Sequence, residues 1–163
     1  MAALDMVEQE IARLEGYLDR AMEEVFGKMM GMECRLADEA GGDVEPMEGQ
    51  MVTALIGLAG ALTGTVVLQC ACAGALKISE SLTGVELAEI DATVRDAIGE
   101  VGNMVAGDWK GQDPELTSRC LLSTPTVVVG SRYELFSRRA LIRIDRNYKF
   151  AGHLCAITIS CQR

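Results

Sequence analysis

The segment G-Q-M-V-T-A-L-I-G-L-A-G-A-L-T-G-T-V-V-L-Q-C-A-C-A-G-A-L, residues 49–76, contains no charged side chain. How it is read decides the fold. It is long enough to span a bilayer, for which about 20 apolar residues suffice. Against a membrane helix stand Gln50, Thr53, Thr63, Thr65 and Gln69, together with Gly57, Gly60, Gly64 and Gly74. The flanking charges, Glu45 and Glu48 before and Lys77 and Glu80 after, include no basic cluster to set a topology. The alternative is a hairpin of strands over 51–58 and 65–70 joined by a turn at 60–64, covered by helices on at least one face. β-Branched residues and glycine suit strands and turns better than a lone helix. The hairpin is the preferred reading, and no membrane association is expected.

Towards the N-terminus, residues 1–31 read as one amphipathic helix. Leu4, Val7, Ile11, Leu14, Leu18, Ala21 and Val25 recur at steps of three and four, which places them on one stripe. Glu8, Glu10, Glu15, Asp19 and Glu23 lie opposite. Packing on a sheet accounts for the stripe; pairing with a second copy stays open, because the same alternation suits a helix dimer. Gly27 or Gly31 is the expected stop. A short strand over 33–38 and a loop over 41–46 follow. Beyond the hairpin, residues 73–82 read as a helix closed by Thr83-Gly84, and a second helix runs from about 87 to 106, ending at Gly107. Strands are expected over 117–122, 126–129, 139–145 and 152–161. Helices grouped in the first two thirds with an antiparallel sheet make the fold class α+β.

The 163 residues suit one domain, since single cores organise about 100–200 residues. With 49% apolar and 24% charged residues, the chain is no disordered acidic tail. A formal net charge of −9 and a pI near 4.6 exclude a nucleic-acid reader, which needs a basic patch. They also argue against an anionic membrane surface and permit a partner with basic residues around its docking site. No secretory leader is read at the start, which is acidic from Asp5 onward without a basic segment. The six cysteines, Cys34, Cys70, Cys72, Cys120, Cys155 and Cys161, are therefore expected as reduced thiols in a cytoplasmic protein. The C-A-C spacing at 70–72 is too tight for a zinc knuckle, and His153, a strand residue on this reading, is the only histidine. No metal is expected.

The informative stretch is D-A-I-G-E-V-G-N-M-V-A-G, residues 96–107. At about 100° per residue, Asp96, Glu100 and Asn103 share an arc of roughly 60°. Ile90, Val94, Ile98, Val101 and Val105 cluster on the far side. The helix thus buries one stripe and presents an acid, an acid and an amide in a row. Surface helices commonly carry such polar faces, so periodicity shows a face and not a chemistry. Gly99, Gly102 and Gly107 flank the row, and interior glycines each cost about 1 kcal/mol relative to alanine. Close approach of another backbone would explain them. Trp109 follows the row and reads as a core plug, with a docking aromatic as the alternative.

The chain resembles the CheX/CheC/FliY family of chemotaxis phosphatases. Their signature is Asp or Ser, Glu four residues on, Asn three further, and Pro after 21 intervening residues. Asp96, Glu100, Asn103 and Pro125 meet that spacing, within G-E-V-G-N-M-V-A-G at 99–107 and S-T-P-T-V-V-V-G at 123–130. A-M-E-E-V-F-G-K-M-M-G-M-E at 21–33 is similar to the family's first helix, and S-L-T-G-V-E-L at 81–87 to its inter-helix turn. The likeness spans about residues 17–163 and sets 1–16 apart as an N-terminal helical extension of a single domain, 1–163. One copy of the signature points to CheX.

The resemblance implies a CheC-like fold, an antiparallel sheet covered by a long N-terminal helix and two central helices, and a homodimer. It further implies a hydrolase that removes phosphate from the receiver-domain aspartate of a CheY-like response regulator. Asn103 would orient the attacking water and Glu100 would engage the receiver's lysine, while Asp96 and Pro125 would be positional. The chain would need no cofactor of its own, because the Mg belongs to the receiver. Arg138, Arg139, Arg143 and Arg146 lie on or beside one expected strand and read as a solvated face, with a receiver-binding patch as the alternative. Two other functions remain open: a non-catalytic adaptor for a receiver or the motility apparatus, and an enzyme built on the cysteines, for which a paired histidine is lacking.

Overall fold

A computed structural model of the chain describes residues 1–37, 47–131, 133–135 and 140–163. The charge-free segment is a hairpin. Strands β2 (Met51–Gly60) and β3 (Thr63–Ala71) pair in register from Met51↔Ala71 to Leu58↔Gly64 around a turn at Ala61-Leu62. Both strands are longer than the sequence pattern suggested. Gly60 has φ +105° and a Cβ there would stand 2.1 Å from the Arg119 carbonyl oxygen, so only glycine fits this corner. Among the described residues no helix is long and apolar enough to cross a membrane.

The first helix, α1 (Ala2–Met22), runs on without a break into α2 (Glu23–Met29), which winds as a π-helix, and Gly31 at φ +68° turns the chain away. Leu14, Leu18, Ala21 and Val25 of the stripe are fully buried, whereas Leu4 and Val7 are 68% and 40% exposed. The stripe therefore continues past the body that covers it. After α2 come β1 (Cys34–Leu36), then beyond the hairpin α3 (Cys72–Thr83), closed by Gly84 in the left-handed conformation, and α4 (Ala92–Gly111). The expected loop at 41–46, Asp38, Arg138 and Arg139 lie outside the described residues.

Three elements differ from the sequence reading. The second central helix is shifted by about one turn at each end. It starts after Asp91, whose side chain accepts from Val94 N at 3.0 Å, and Gly107 lies inside it. The first half of the expected strand over 117–122 belongs to α5 (Pro114–Arg119), with Asp113 as N-cap and Pro at the first turn, and the second half is β4 (Cys120–Leu122). The strand at 139–145 is β6 (Ile142–Phe150). It follows β5 (Thr126–Gly130) and precedes β7 (His153–Gln162).

The seven strands form one antiparallel sheet in the order β1-β6-β7-β3-β2-β4, with β5 also on β2. Alternate residues point one way: Val52, Ala54, Ile56 and Leu58 of β2, Val66, Leu68 and Cys70 of β3, and Cys155, Ile157, Ile159 and Cys161 of β7 join the helices in one core. The two described arginines of the expected patch fall on opposite faces. Arg143 is exposed and paired with Asp145 (2.6 Å), whereas Arg146 turns towards α1 and pairs with Glu15 (3.0 Å) and Asp19 (3.6 Å). A strand's period of two separates odd from even positions, so these two make no common surface.

Candidate functional site

Helix α4 is held from both sides. Val94, Ile98, Val101 and Val105 are fully buried, and Trp109, also fully buried, donates Nε1–H to the Leu14 carbonyl at 3.0 Å. Trp109 is thus a core plug that ties α4 to α1. Gln112, just past the helix end, donates to the Tyr17 carbonyl at 2.7 Å and accepts from Arg20 at 2.7 Å. These contacts explain why the helix does not stop at Gly107: the next turn carries its anchor.

Two interior glycines let the helix lie close to the sheet. A Cβ on Gly102 would stand 2.9 Å from Ile56 Cδ1 and 3.0 Å from Ala54 Cβ, inside ordinary contact. A Cβ on Gly99 would meet Val127 Cγ2 at 3.3 Å and Pro125 Cβ at 3.4 Å. Pro125 therefore packs directly on the α4 backbone, one residue before Glu100. The segment that carries it crosses from β4 to β5 along the edge of β2. Ser123 N donates to the Gly57 carbonyl at 2.9 Å, and Ser123 Oγ accepts from Gly57 N at 2.7 Å. Pro125 is thereby brought against α4 at Gly99, although 21 residues of sequence separate it from Asn103.

On the outward side of α4, Asp96 and Glu100 are exposed and Asn103 is half-buried. Among the described residues none of these three side chains is engaged in a hydrogen bond or ion pair. Glu100 and Asn103 are about one helical turn apart and face the same way. The row stands on the convex surface of a helix. By contrast, a cleft of about 580 Å³ lined by Met32, Glu33, Arg35 and Lys77 opens beside the turn after α2, away from the row. A projecting carboxylate and amide suit insertion into a cavity of another molecule better than enclosure of a small one.

The buried cysteines are poorly placed for nucleophilic chemistry. Cys70, Cys120, Cys155 and Cys161 are buried, and all six are free thiols. Burial pushes the Cys34 and Cys70 thiols up to about 12 and Cys161 to about 11, and raises Cys155 well above its ordinary range. A thiol held protonated at neutral pH is a poor nucleophile. Among the described residues no three His, Cys, Asp or Glu side chains gather as a ligand set. His153 opens β7 with its ring 5.8 Å from that of Phe150.

Helices cover one face of an antiparallel sheet, and the acid-acid-amide row lies on the central helix, the CheC-like arrangement that the sequence resemblance implies. Residues 52–145, which include α4 and Pro125, match the family described as chemotaxis phosphatase CheX. The chain belongs to the CheX family. It is 26% identical over 134 residues to the CheY-P phosphatase CheX of Thermotoga maritima, covering 82% of this chain and 86% of that protein. The crystal structure of the chemotaxis protein CheX from Vibrio vulnificus superposes with a TM-score of 0.76 at 22% identity, over 93% of this chain and 98% of that one. The crystal structure of the CheX-CheY-BeF3-Mg complex from Borrelia burgdorferi has a chain that superposes with a TM-score of 0.65 at 19% identity, over 91% and 97%.

Proposed function

We propose that this chain hydrolyses the aspartyl phosphate of a CheY-like response regulator, with Asn103 positioning the attacking water and Glu100 docking to the receiver's lysine. The observation that carries this reading is the pair itself: two side chains one turn apart, without a partner among the described residues, on a helix fixed by Trp109, Gly102 and the Gly99–Pro125 contact. Family membership and the CheY-P phosphatase of T. maritima support it, as does the BeF3-bearing CheY complex of the B. burgdorferi protein.

The chemistry asks for little more. Phosphoryl transfer depends on an in-line nucleophile and on neutralisation of charge, with scant covalent help from the protein. A carboxamide both donates and accepts hydrogen bonds without depending on a protonation state, so Asn103 can hold a water against the phosphorus and also contact a phosphoryl oxygen. A carboxylate in that place would face an anionic group beside acidic receiver residues. Glu100 forms a charge-assisted contact with a lysine, which fixes register more than it adds affinity. Because one turn separates the two, docking of Glu100 places Asn103. Asp96 and Pro125 are positional on this reading, Pro125 through its packing on α4 at Gly99. The receiver supplies the Mg ion that the reaction needs, so this chain's part is orientation alone. The homodimer and the cytoplasmic setting belong to the same reading, and sedimentation of the full chain tests the first.

The test is the lifetime of the acyl phosphate on a co-encoded CheY-like receiver, with and without this protein. Acceleration by the wild type and none by Asn103→Ala, with receiver binding kept within a few-fold, is the expected result. Binding of the phosphorylated receiver without acceleration would instead make the protein an adaptor on the same fold. Loss of binding in folded Asn103→Ala would make Asn103 a docking residue.

A further inference from the structure

Helix α4 holds four glycines: the fold accounts for two by close packing, Gly111 is the last residue of the helix, and Gly107 is left unexplained. Gly99 lies against Pro125 and Val127, where a methyl group would be crowded, and Gly102 against Ile56 and Ala54, where it would collide. Gly107 is half-exposed within the same helix, has ordinary helical backbone angles, and a Cβ on it would meet nothing within 4 Å. Among the described residues no turn, cap or internal contact asks for glycine there, and glycine is the poorest helix former after proline. Its position is specific. Gly107 lies one turn beyond Asn103 and two beyond Glu100, within roughly 40° and 20° of them around the helix axis at 100° per residue.

We propose that Gly107 is where the receiver's backbone closes on this protein, and that the bare helix surface there sets how far Asn103 reaches; this rests on the reading of the site given above. Asparagine is a short side chain. For its amide to touch a water at a phosphoryl group recessed in a receiver, the α4 backbone itself must be pressed against the rim of that cavity. The next turn on the same face then meets the rim as well. A methyl group at 107 is harmless in the free protein and holds the helix off in the complex, since carbon atoms settle about 3.5–4.0 Å apart. A misplacement of about 1 Å at a reacting centre costs on the order of 100-fold in rate. Gly107 is a positioning residue, acting through Asn103.

Three variants test this: Gly107→Ala, Gly107→Leu, and Gly111→Ala, which also fills open space on the helix but a further turn away. Thermal unfolding of each is measured together with kcat/KM for phosphorylated receiver and affinity for the BeF3-loaded receiver. Gly107→Ala is expected to raise Tm by about 2–4 °C and to lower kcat/KM by roughly 10- to 100-fold. Gly107→Leu should lose more, and Gly111→Ala should keep the wild-type rate. A gain in Tm paired with a loss of rate is an outcome that a merely structural glycine does not produce. Wild-type kcat/KM in Gly107→Ala, beside an inactive Asn103→Ala, overturns the role of Gly107 and leaves the phosphatase reading standing. A fall in Tm, or an equal loss of rate in Gly111→Ala, overturns it too. A wild-type protein that leaves the acyl-phosphate lifetime unchanged removes both.

Discussion

Replacing Gly102 by alanine measures how closely α4 is seated on the sheet. The new Cβ would stand 2.9 Å from Ile56 Cδ1 and 3.0 Å from Ala54 Cβ, short of ordinary carbon contact at about 3.5 Å by roughly 0.5–0.6 Å. The Ile56 terminus can rotate aside. Ala54 Cβ cannot, because it is fixed to the backbone of β2, which is paired on both sides. Relief therefore requires α4 and β2 to move apart by several tenths of an ångström along buried faces. Overpacking of this kind costs about 1–3 kcal/mol. Against it stands about 1 kcal/mol gained from helix propensity. Gly107→Ala shares that gain and meets no contact, so the difference between the two variants isolates packing. At about 2–4 °C of Tm per kcal/mol for a chain of this size, Gly102→Ala should melt about 2–12 °C below Gly107→Ala. Far-UV circular dichroism of the two proteins, heated side by side, is sufficient. Coincident melting curves would refute the packing argument and with it the account of why glycine occupies 102.

Two further outcomes follow. Cys70 and Cys155 are fully buried, and burial raises both thiols, Cys70 to about 12. The unfolded chain releases these protons near pH 8.5 while the folded one keeps them, so stability is full below about pH 8.5 and declines as pH rises towards about 12, at about 1.4 kcal/mol per pH unit for each fully protected thiol. Urea midpoints that stay constant from about pH 7.5 to about pH 10 would contradict this. Glu100→Ala should lower kcat/KM for the phosphorylated receiver by roughly 10- to 100-fold, the worth of a charge-assisted hydrogen bond of about 1.5–3 kcal/mol; an unchanged rate at low receiver concentration removes Glu100 from docking.

The layout of the molecule was legible where side-chain pattern and backbone geometry coincide. The hairpin follows from β-branched residues set between glycines, and Gly84 ends α3 as its position implied. Helix ends were less so. The cap at Asp91 and the Asp113-Pro114 start of α5 are local signals in plain view, overridden by the apolar Leu87, Ala88 and Ile90 and by the β-branched Thr117. Gly107 looked like a stop because glycine usually marks one, but the burial of Trp109 two residues on outweighs that preference. The polar row at Asp96, Glu100 and Asn103 was visible from helical period alone. Pro125 joined it only through the family signature's spacing, and its contact with Gly99 was not legible, because spacing in sequence carries no record of which glycine is stacked on which ring.

The crossing at Ser123–Pro125 has a consequence for the protein's behaviour in concentrated solution. Strand β2 is one of the most apolar strands of the sheet, and its outer side is closed by two pieces, three residues of β4 against Leu58–Gly60 and five of β5 against Met51–Leu55. An uninterrupted outer strand would offer a ladder of unpaired amides on which a neighbouring molecule could add its own strand. Here that ladder breaks where the chain lifts towards α4, at a proline with no amide hydrogen to give. The same departure from regular pairing that seats Pro125 on the site helix thus shortens the template available for fibrous growth to at most five consecutive residues on this side.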